Sequence, residues 1–449
     1  MSKSYRRIYC AIATALLVGG CASLPLEQGR SHIQALVGAR TTATSAADSS
    51  VAQWLAAPLT LESAQQIALL RNARLKANYA RLGLSAADVF EAGRLQNPSL
   101  GISWLLPVGG ADGSKVGASL MTSFADLLLR SSRQRIAAAG YAGMQEQIAA
   151  ASLDALAATQ RAWFDCVAAN QRVAVRRSIA DAAQLAADLA QQYREAGNVS
   201  ALEVQLQRAE ASQSRIALHD AQMRLADARA ELQKQLGLGI NESAWTVPES
   251  LPEVPQGAVP ETQALMARVL DQRLDISAAR RHVQALAENR DATRRYRLLA
   301  DSRIGAVLDR ESDGAKRIGP AVEVALPVFQ QGQGAVARAQ ARLAEAQALL
   351  AELETTAQLD LARQLARMEL AREQVKAYRE GLVPEREAVV ARLTEKANFM
   401  LVDTFAVLMA RQQEYAAYAG YVDAQLNFWN AHVEVLRALG SQRALEETR

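Results

Sequence analysis

Asn72-Ala73-Arg74-Leu75-Lys76-Ala77 is matched, 201 positions later, by Arg273-Leu274-Asp275-Ile276-Ser277-Ala278. The likeness continues down the chain. Arg94-Leu95 pairs with Arg297-Leu298, Phe124 with Phe329, Asn198 with Asn398, Glu203 with Asp403, and Leu236-Gly237 with Leu439-Gly440, all at offsets near 200. Each match alone is weak, but six in one order imply that the chain holds the same unit twice. Each copy predicts helix, strand, strand, very long helix, turn, helix. The copies occupy 58–240 and 261–440, joined by a surface linker at 241–260 that carries four prolines.

Proline spacing sets the helix lengths. None of the 11 prolines falls between Pro107 and Pro248, and the stretch from about 128 to 236 is dense in Ala, Leu, Gln, Arg and Glu, which propagate helix. Residues 334–439 read the same way, with Pro384 expected to end or kink the helix. The long helices, about 130–196 and 334–396, would each run roughly 100 Å at 1.5 Å per residue. The helices after the turns carry a seven-residue seam. Val204, Ala211, Leu218, Leu225 and Leu232 form it in the first copy, and Leu408, Tyr415, Val422, Trp429 and Leu436 in the second. That period favours left-handed coiled-coil packing; an ordinary amphipathic bundle would show a wider stripe.

The chain has 449 residues, 50 Lys+Arg and 47 Asp+Glu, a formal charge of +3. That near-balance argues against a nucleic-acid partner, which selects a basic surplus. No apolar run in the body is long enough for a polytopic helical membrane protein. The three Cys and four scattered His build neither a disulfide framework nor a zinc site, and no cofactor is expected.

Lys3, Arg6 and Arg7 followed by the apolar Ile8–Gly20 read as a secretory signal over 1–20. Val18-Gly19-Gly20-Cys21 resembles a bacterial lipobox, which implies lipidation of Cys21 and anchoring in outer-membrane lipid; the other reading is a plain signal with an incidental Cys. Without residues 1–20 the chain has 47 basic and 47 acidic side chains. Residues 21–57, rich in Ser, Thr, Ala and Gly, predict an extended arm, and 441–449 a short tail. Cys166 is expected as a small buried residue.

Two hairpins lie between the helices, at about 98–124 and 302–329. Leu100, Ile102, Trp104 and Leu106 alternate with small and polar residues, and Val116, Ala118 and Leu120 continue the pattern after a Gly-rich turn. Ile304 to Leu308 and Val322 to Leu326 form the second pair, around a loop from Arg310 to Arg317. Roughly ten residues suit a tilted transmembrane strand, yet four strands leave two edges, and the smallest membrane barrels need about eight. If these strands span a bilayer, several copies must assemble.

Two copies of helix–hairpin–long helix–turn–helix behind a lipobox resemble the TolC-type outer-membrane efflux channels over about residues 58–440. The resemblance implies a mainly α fold with a small β part. In it a homotrimer forms a twelve-stranded outer-membrane barrel continued by a periplasmic α-helical barrel. It also implies a passive exit duct for drugs, metal ions or other small solutes. The implied partners are a periplasmic adaptor protein and an inner-membrane pump of the resistance-nodulation-division type.

The family's tip pattern, Gly then Ser three residues on and Asp three further, is matched by Gly197-Asn198-Val199-Ser200 with Glu203. The second copy has Ala397-Asn398-Phe399-Met400 with Asp403. These residues are the implied adaptor-docking tips, and Asp403 the implied acidic gate at the periplasmic entrance. The other reading of Asp403 is a solvated first-turn residue favoured by the helix dipole. The family's Arg-Pro-Asp motif appears as Arg273-Leu274-Asp275-Ile276, with Leu in place of Pro.

Gly332-Gln333-Gly334 reads as a strand-to-helix turn rather than a phosphate loop, and Asp309–Gly314 as a hairpin loop rather than a calcium site. Nothing converges as nucleophile, acid–base pair or metal cluster, so an enzyme is not expected. The rival reading is a lipid-anchored periplasmic coiled-coil scaffold without a pore.

Overall fold

A computed structural model describes residues 29–41, 51–106, 114–256, 262–298, 302–311 and 313–442; the signal segment, Cys21 and the tail after Gln442 lie outside them. The elements are α1 (Arg30–Gly38), α2 (Val51–Leu55), α3 (Leu61–Arg71), α4 (Ala73–Ala92), β1 (Ser99–Leu105), β2 (Lys115–Ser123), α5 (Phe124–Glu195) and α6 (Ala201–Leu236). They continue with α7 (Thr262–Gln272), α8 (Leu274–Tyr296), β3 (Arg303–Arg310), β4 (Lys316–Glu323), α9 (Gln333–Lys376), a π-helical turn (Ala377–Leu382), α10 (Val383–Asn398) and α11 (Thr404–Leu439). The chain divides into two compact units, and each draws on both halves of the sequence.

The first unit, Tyr79–Gln145 and Ala278–Leu350 among its segments, contains the sheet. Its four strands run in the order β1-β2-β3-β4, all antiparallel. The central pair joins the two halves of the chain, from Val116 opposite Arg310 to Ser123 opposite Arg303. The second hairpin differs from expectation: β3 runs on to Arg310 and β4 begins at Lys316, inside the expected loop, and stops at Glu323, so Val324 and Leu326 are not strand.

Ser123 then starts the long helix: its Oγ accepts from Asp126 N at 3.2 Å, and Arg133 pairs with the Asp126 carboxylate at 2.7 Å. α5 continues unbroken for 72 residues, about 110 Å at the α-helical rise. Buried Ser152 and Thr159 stay inside it by donating to the carbonyls of Ile148 and Ala155, 2.8 Å each.

The second unit holds the helical cores. Trp163 Nε1 donates to Leu59 O at 2.8 Å, and Phe164 stacks on Trp429 with ring centroids 4.9 Å apart. Leu361, Leu365, Met368 and Val375 of α9 pack with Phe428, Val435 and Leu439 of α11 in a second cluster.

The recurring motif at Asn72 and Arg273 has a structural role. Asn72 Oδ1 accepts from Arg74 N and Leu75 N, starting α4, while its Nδ2 donates to Gln235 O at the end of α6. Arg273 binds Asp275 and reaches Ala438 O at the end of α11. Each break in the helical run is thus tied to the close of a return helix.

Three expectations are corrected here. The 21–57 arm is not wholly extended: it contains α1 and α2, and Thr41 Oγ1 donates to Gln442 Oε1. The Pro-rich 241–260 segment is not a surface linker where described. Trp245, Val247 and Leu251 are buried in the core, and Pro252 O accepts from Trp429 Nε1 at 3.0 Å. Pro384 neither ends nor replaces the helical run. The π turn precedes it, with Val383 N bonded to Tyr378 O, so the helix widens by one residue before the ring is met.

Candidate functional site

Strand register sorts the sheet into two faces, because directly opposed residues share a face. One face carries Leu100, Ile102, Trp104, Val116, Leu120, Ile304, Leu308, Ile318 and Val322, with Arg310 and Lys316 at one end. The other carries Ser99, Gly101, Ser103, Gly117, Ser119, Gly305, Gly319 and Ala321 among Leu105, Met121, Val307 and the charged Lys115, Arg303, Asp309, Arg317 and Glu323. Leu100, Ile102 and Trp104 are 66–73% exposed, and Ile318 and Val322 are 78% and 73% exposed. In water this arrangement costs free energy; against hydrocarbon it does not. The glycine face allows close approach between strands: a Cβ on Gly305 would collide with the Leu120 carbonyl. Pro320 sits on β4, an edge strand, where a missing donor is tolerated. Lys115 lies within ion-pair distance of Asp309 and Glu311 at one end of the sheet.

The helical turns at the C-terminal ends of α5 and α10 are a separate candidate site in the second unit. In the first turn Gly197 takes φ +82°, Asn198 N bonds Tyr193 O at 2.8 Å, and Ser200 Oγ accepts from Glu203 N at 3.1 Å as the N-cap of α6. In the second, Met400 takes φ +58°, Leu401 N bonds Lys396 O at 3.0 Å, and Asp403 caps α11 through Phe405 N at 3.4 Å. The cap geometry sets Ser200 against Asp403 and Gly197 against Met400, an offset of 203. The expected pairing of Glu203 with Asp403 is therefore shifted by three residues. Glu203 lies within the first turn of α6, where its Oε1 accepts from Gln207 Nε2.

The two turns are held together by an apolar contact. Tyr193 meets Phe405 edge-on, with centroids 6.1 Å apart, and Ala190 and Val204 are buried beside them. Outside this contact Phe399, Met400 and Leu401 are 72%, 93% and 71% exposed, a triplet whose exposure needed the positive φ of Met400 to be seen. Ala397 and Asn398 close α10, and Asp403 is exposed.

Among the described residues no group of three His, Cys, Asp or Glu could hold a metal ion. No helix there is long and apolar enough to cross a membrane. Cys166 is buried and unbridged, and burial pushes its thiol pKa up to about 11, so it is a packing residue. Cys21 lies outside the described residues.

No family model matches the sequence, and no curated protein matches it. Solved structures do match. The CmeC outer membrane channel of Campylobacter jejuni is similar at a TM-score of 0.73 and 17% identity, over 85% of each chain. A membrane protein from Pseudomonas aeruginosa gives 0.70 at 20% identity, covering 85% of this chain and 93% of that one. The outer membrane protein VceC of Vibrio cholerae gives 0.67 at 18% identity, covering 85% and 96%. At such identities the likeness is one of architecture: the chain has the fold of the TolC-type outer-membrane channels.

Proposed function

We propose that the chain is the outer-membrane channel of a tripartite efflux assembly. In this reading it is a passive exit duct that performs no bond chemistry. It carries drugs, metal ions or other small solutes to the exterior from an inner-membrane pump, through a periplasmic adaptor. The observation that carries the reading is the sheet: four strands with an exposed, largely apolar face, an opposite face of small, polar and charged residues, and two edge strands. Such a sheet is unstable alone in water, and three copies would supply twelve strands, enough for a barrel around an open lumen. The chain's two similar halves, each with a hairpin and a long helical pair, support the same trimeric plan.

The remaining residues take roles within it. Cys21 carries the lipid that tethers the chain to the outer membrane without itself spanning it. The turns 197–200 and 397–401 face the adaptor, with Phe399, Met400 and Leu401 as its apolar contact. Asp403 narrows the periplasmic entrance as one of three carboxylates, which together favour cations.

The test is single-channel recording of the purified protein in a planar bilayer. A stepwise, cation-selective conductance is expected, and an anchored coiled-coil scaffold would give none. Asp403→Asn keeps the cap, since Asn caps as well as Asp, but removes the charge. It should lower cation selectivity without lowering thermal stability; unchanged selectivity would refute the gate.

A further inference from the structure

Four arginines converge on one cleft in the helical unit. Arg161 comes from α5, Arg363 and Arg367 from α9, and Arg437 from α11, around an open volume of about 920 Å³. Arg363 and Arg367 are four residues apart on one helix, so their guanidinium groups leave the same face. Among the described residues Glu434 is the only acidic one that lines the cleft. It is shared: Arg161 Nη2 reaches one carboxylate oxygen, and Arg437 Nε donates to the other at 2.8 Å. Arg363 pairs with Asp360 at 2.7 Å, outside the lining, and Arg367 has no carboxylate partner among the described residues. The lining itself thus carries four guanidinium groups and one carboxylate, while Asp360, Asp165 and Asp154 lie outside it as charge partners of Arg363, Arg161 and Arg437.

The lining therefore presents a mainly positive surface to solvent, which attracts anions and is screened by salt. Guanidinium is suited to hold an oxyanion there, because its planar fork matches two oxygens of a carboxylate or phosphate at once. The opening also falls within the range of small-molecule sites, about 300–1,000 Å³. We propose that this cleft is a binding site for a compact multivalent oxyanion, carboxylate- or phosphate-bearing. Arg363 and Arg367 form its open jaw; Arg161 and Arg437 form a wall whose charge Glu434 occupies in competition with the anion. The site rests on the helices of one chain and is independent of the pore reading.

Isothermal titration of the full chain in detergent micelles tests it, with citrate and inorganic pyrophosphate as separate probes. One molecule per chain is expected to bind, more weakly as KCl rises from about 50 to 200 mM. The double variant Arg363→Gln/Arg367→Gln should bind at least tenfold more weakly, and Arg367→Gln alone serves if the double variant loses helicity. Glu434→Gln, which releases two guanidinium groups, should bind several-fold more tightly than the parent chain. The stronger of the two probes assigns the phosphate or the carboxylate class. Absence of binding by both probes, or binding unchanged in the jaw variants, would overturn the site. A chain that binds yet conducts nothing would retain the site and lose the channel.

Discussion

α6 and α11 are both 36 residues long, both start at a side-chain cap and both end at a left-handed glycine. Yet α6 buries six residues and α11 sixteen. The difference lies in what surrounds them. α11 contributes Val422, Leu426 and Val433 to the core with α5 and α6, and Phe428, Val435 and Leu439 to the core with α9. α6 turns Val204, Ala211 and Leu232 inward but leaves Leu202, Ile216 and Met223 at 68%, 56% and 60% exposure. With Ala209 and Ala230 these exposed positions repeat every seven residues, a second seam parallel to the buried one. Equal local signals thus produce one helix with its packing completed inside the chain and one with a seam left for a neighbour.

The comparison breaks first at that outer seam. In the trimeric reading, Ile216→Glu with Met223→Glu should abolish the oligomer seen by light scattering while leaving helical circular dichroism unchanged. An intact oligomer would show that this face meets solvent rather than another copy. Equivalent charges on the buried side of α11, such as Phe428→Glu, should instead unfold the chain.

The two glycine ends sharpen it next. Gly237 has φ +68° and Gly440 φ +70°, so alanine at either costs about 1 kcal/mol or more of left-handed strain. A Cβ on Gly237 would also strike the Arg71 carbonyl, whereas on Gly440 its nearest atom would be Arg273 Cα at 3.2 Å. Gly237→Ala should therefore lose about 3 kcal/mol or more and Gly440→Ala about 1–2, measured by denaturant unfolding. Equal losses would mean that the backbone at Arg71 yields freely.

At the same offset of 203, Arg229 and His432 differ in chemistry. Arg229 lies 4.2 Å from the Trp245 ring centre and donates to Ser243 O and Trp245 O, a contact that is charged throughout the working pH range. His432 packs against Phe428 and Trp429, where burial and then Arg372 hold its pKa down to about 4 from 6.5. The folded chain keeps it neutral while the unfolded chain takes up the proton first. Its stabilising contribution is therefore complete above about pH 6.5 and is lost as pH falls towards 4, by at most about 3 kcal/mol. His432→Gln should flatten unfolding stability between pH 7.5 and 4.5. Arg229→Gln should lower stability by about 1–2 kcal/mol equally at both.

Much of this was legible in the sequence. Ser200 before the helix, Gly237 and Gly440 after their helices, and the apolar period in β1 act through local backbone and solvent preferences, so the residues themselves reveal them. The rest depended on tertiary facts. Prolines 248, 252 and 255 read as loop whether or not Trp245 and Leu251 beside them are buried. The π turn needs the Val383–Tyr378 bond to be seen, and that turn brings Tyr378 onto the bare backbone of Gly420, where a Cβ would lie 2.6 Å from the Tyr378 hydroxyl. The arginine cleft joins Arg363 and Arg367, whose helical spacing is visible in sequence, to positions 161 and 437, which no periodicity links to them. At the tips the sequence signal itself misled. A left-handed residue is found from glycine, and at the second turn that conformation belongs to methionine, so matching by residue type slipped by three positions.

That slip defines the smallest and most diagnostic effect. Gly197 and Met400 hold the same left-handed conformation, one without strain and one with it. Neither is supported by its surroundings: a Cβ on Gly197 would meet nothing, and Met400 is 93% exposed. Exchanging the residue types should therefore give effects of opposite sign and similar size. Gly197→Ala should destabilise by about 1 kcal/mol, and Met400→Gly should stabilise by slightly less, because glycine also loses more backbone entropy on folding. In the efflux-channel reading, a Met400→Gly chain that is more stable yet binds a periplasmic adaptor less well would show that the strain is retained for the apolar side chain it exposes. If that variant is less stable than the parent, Met400 must pack on a surface that the isolated chain does not present.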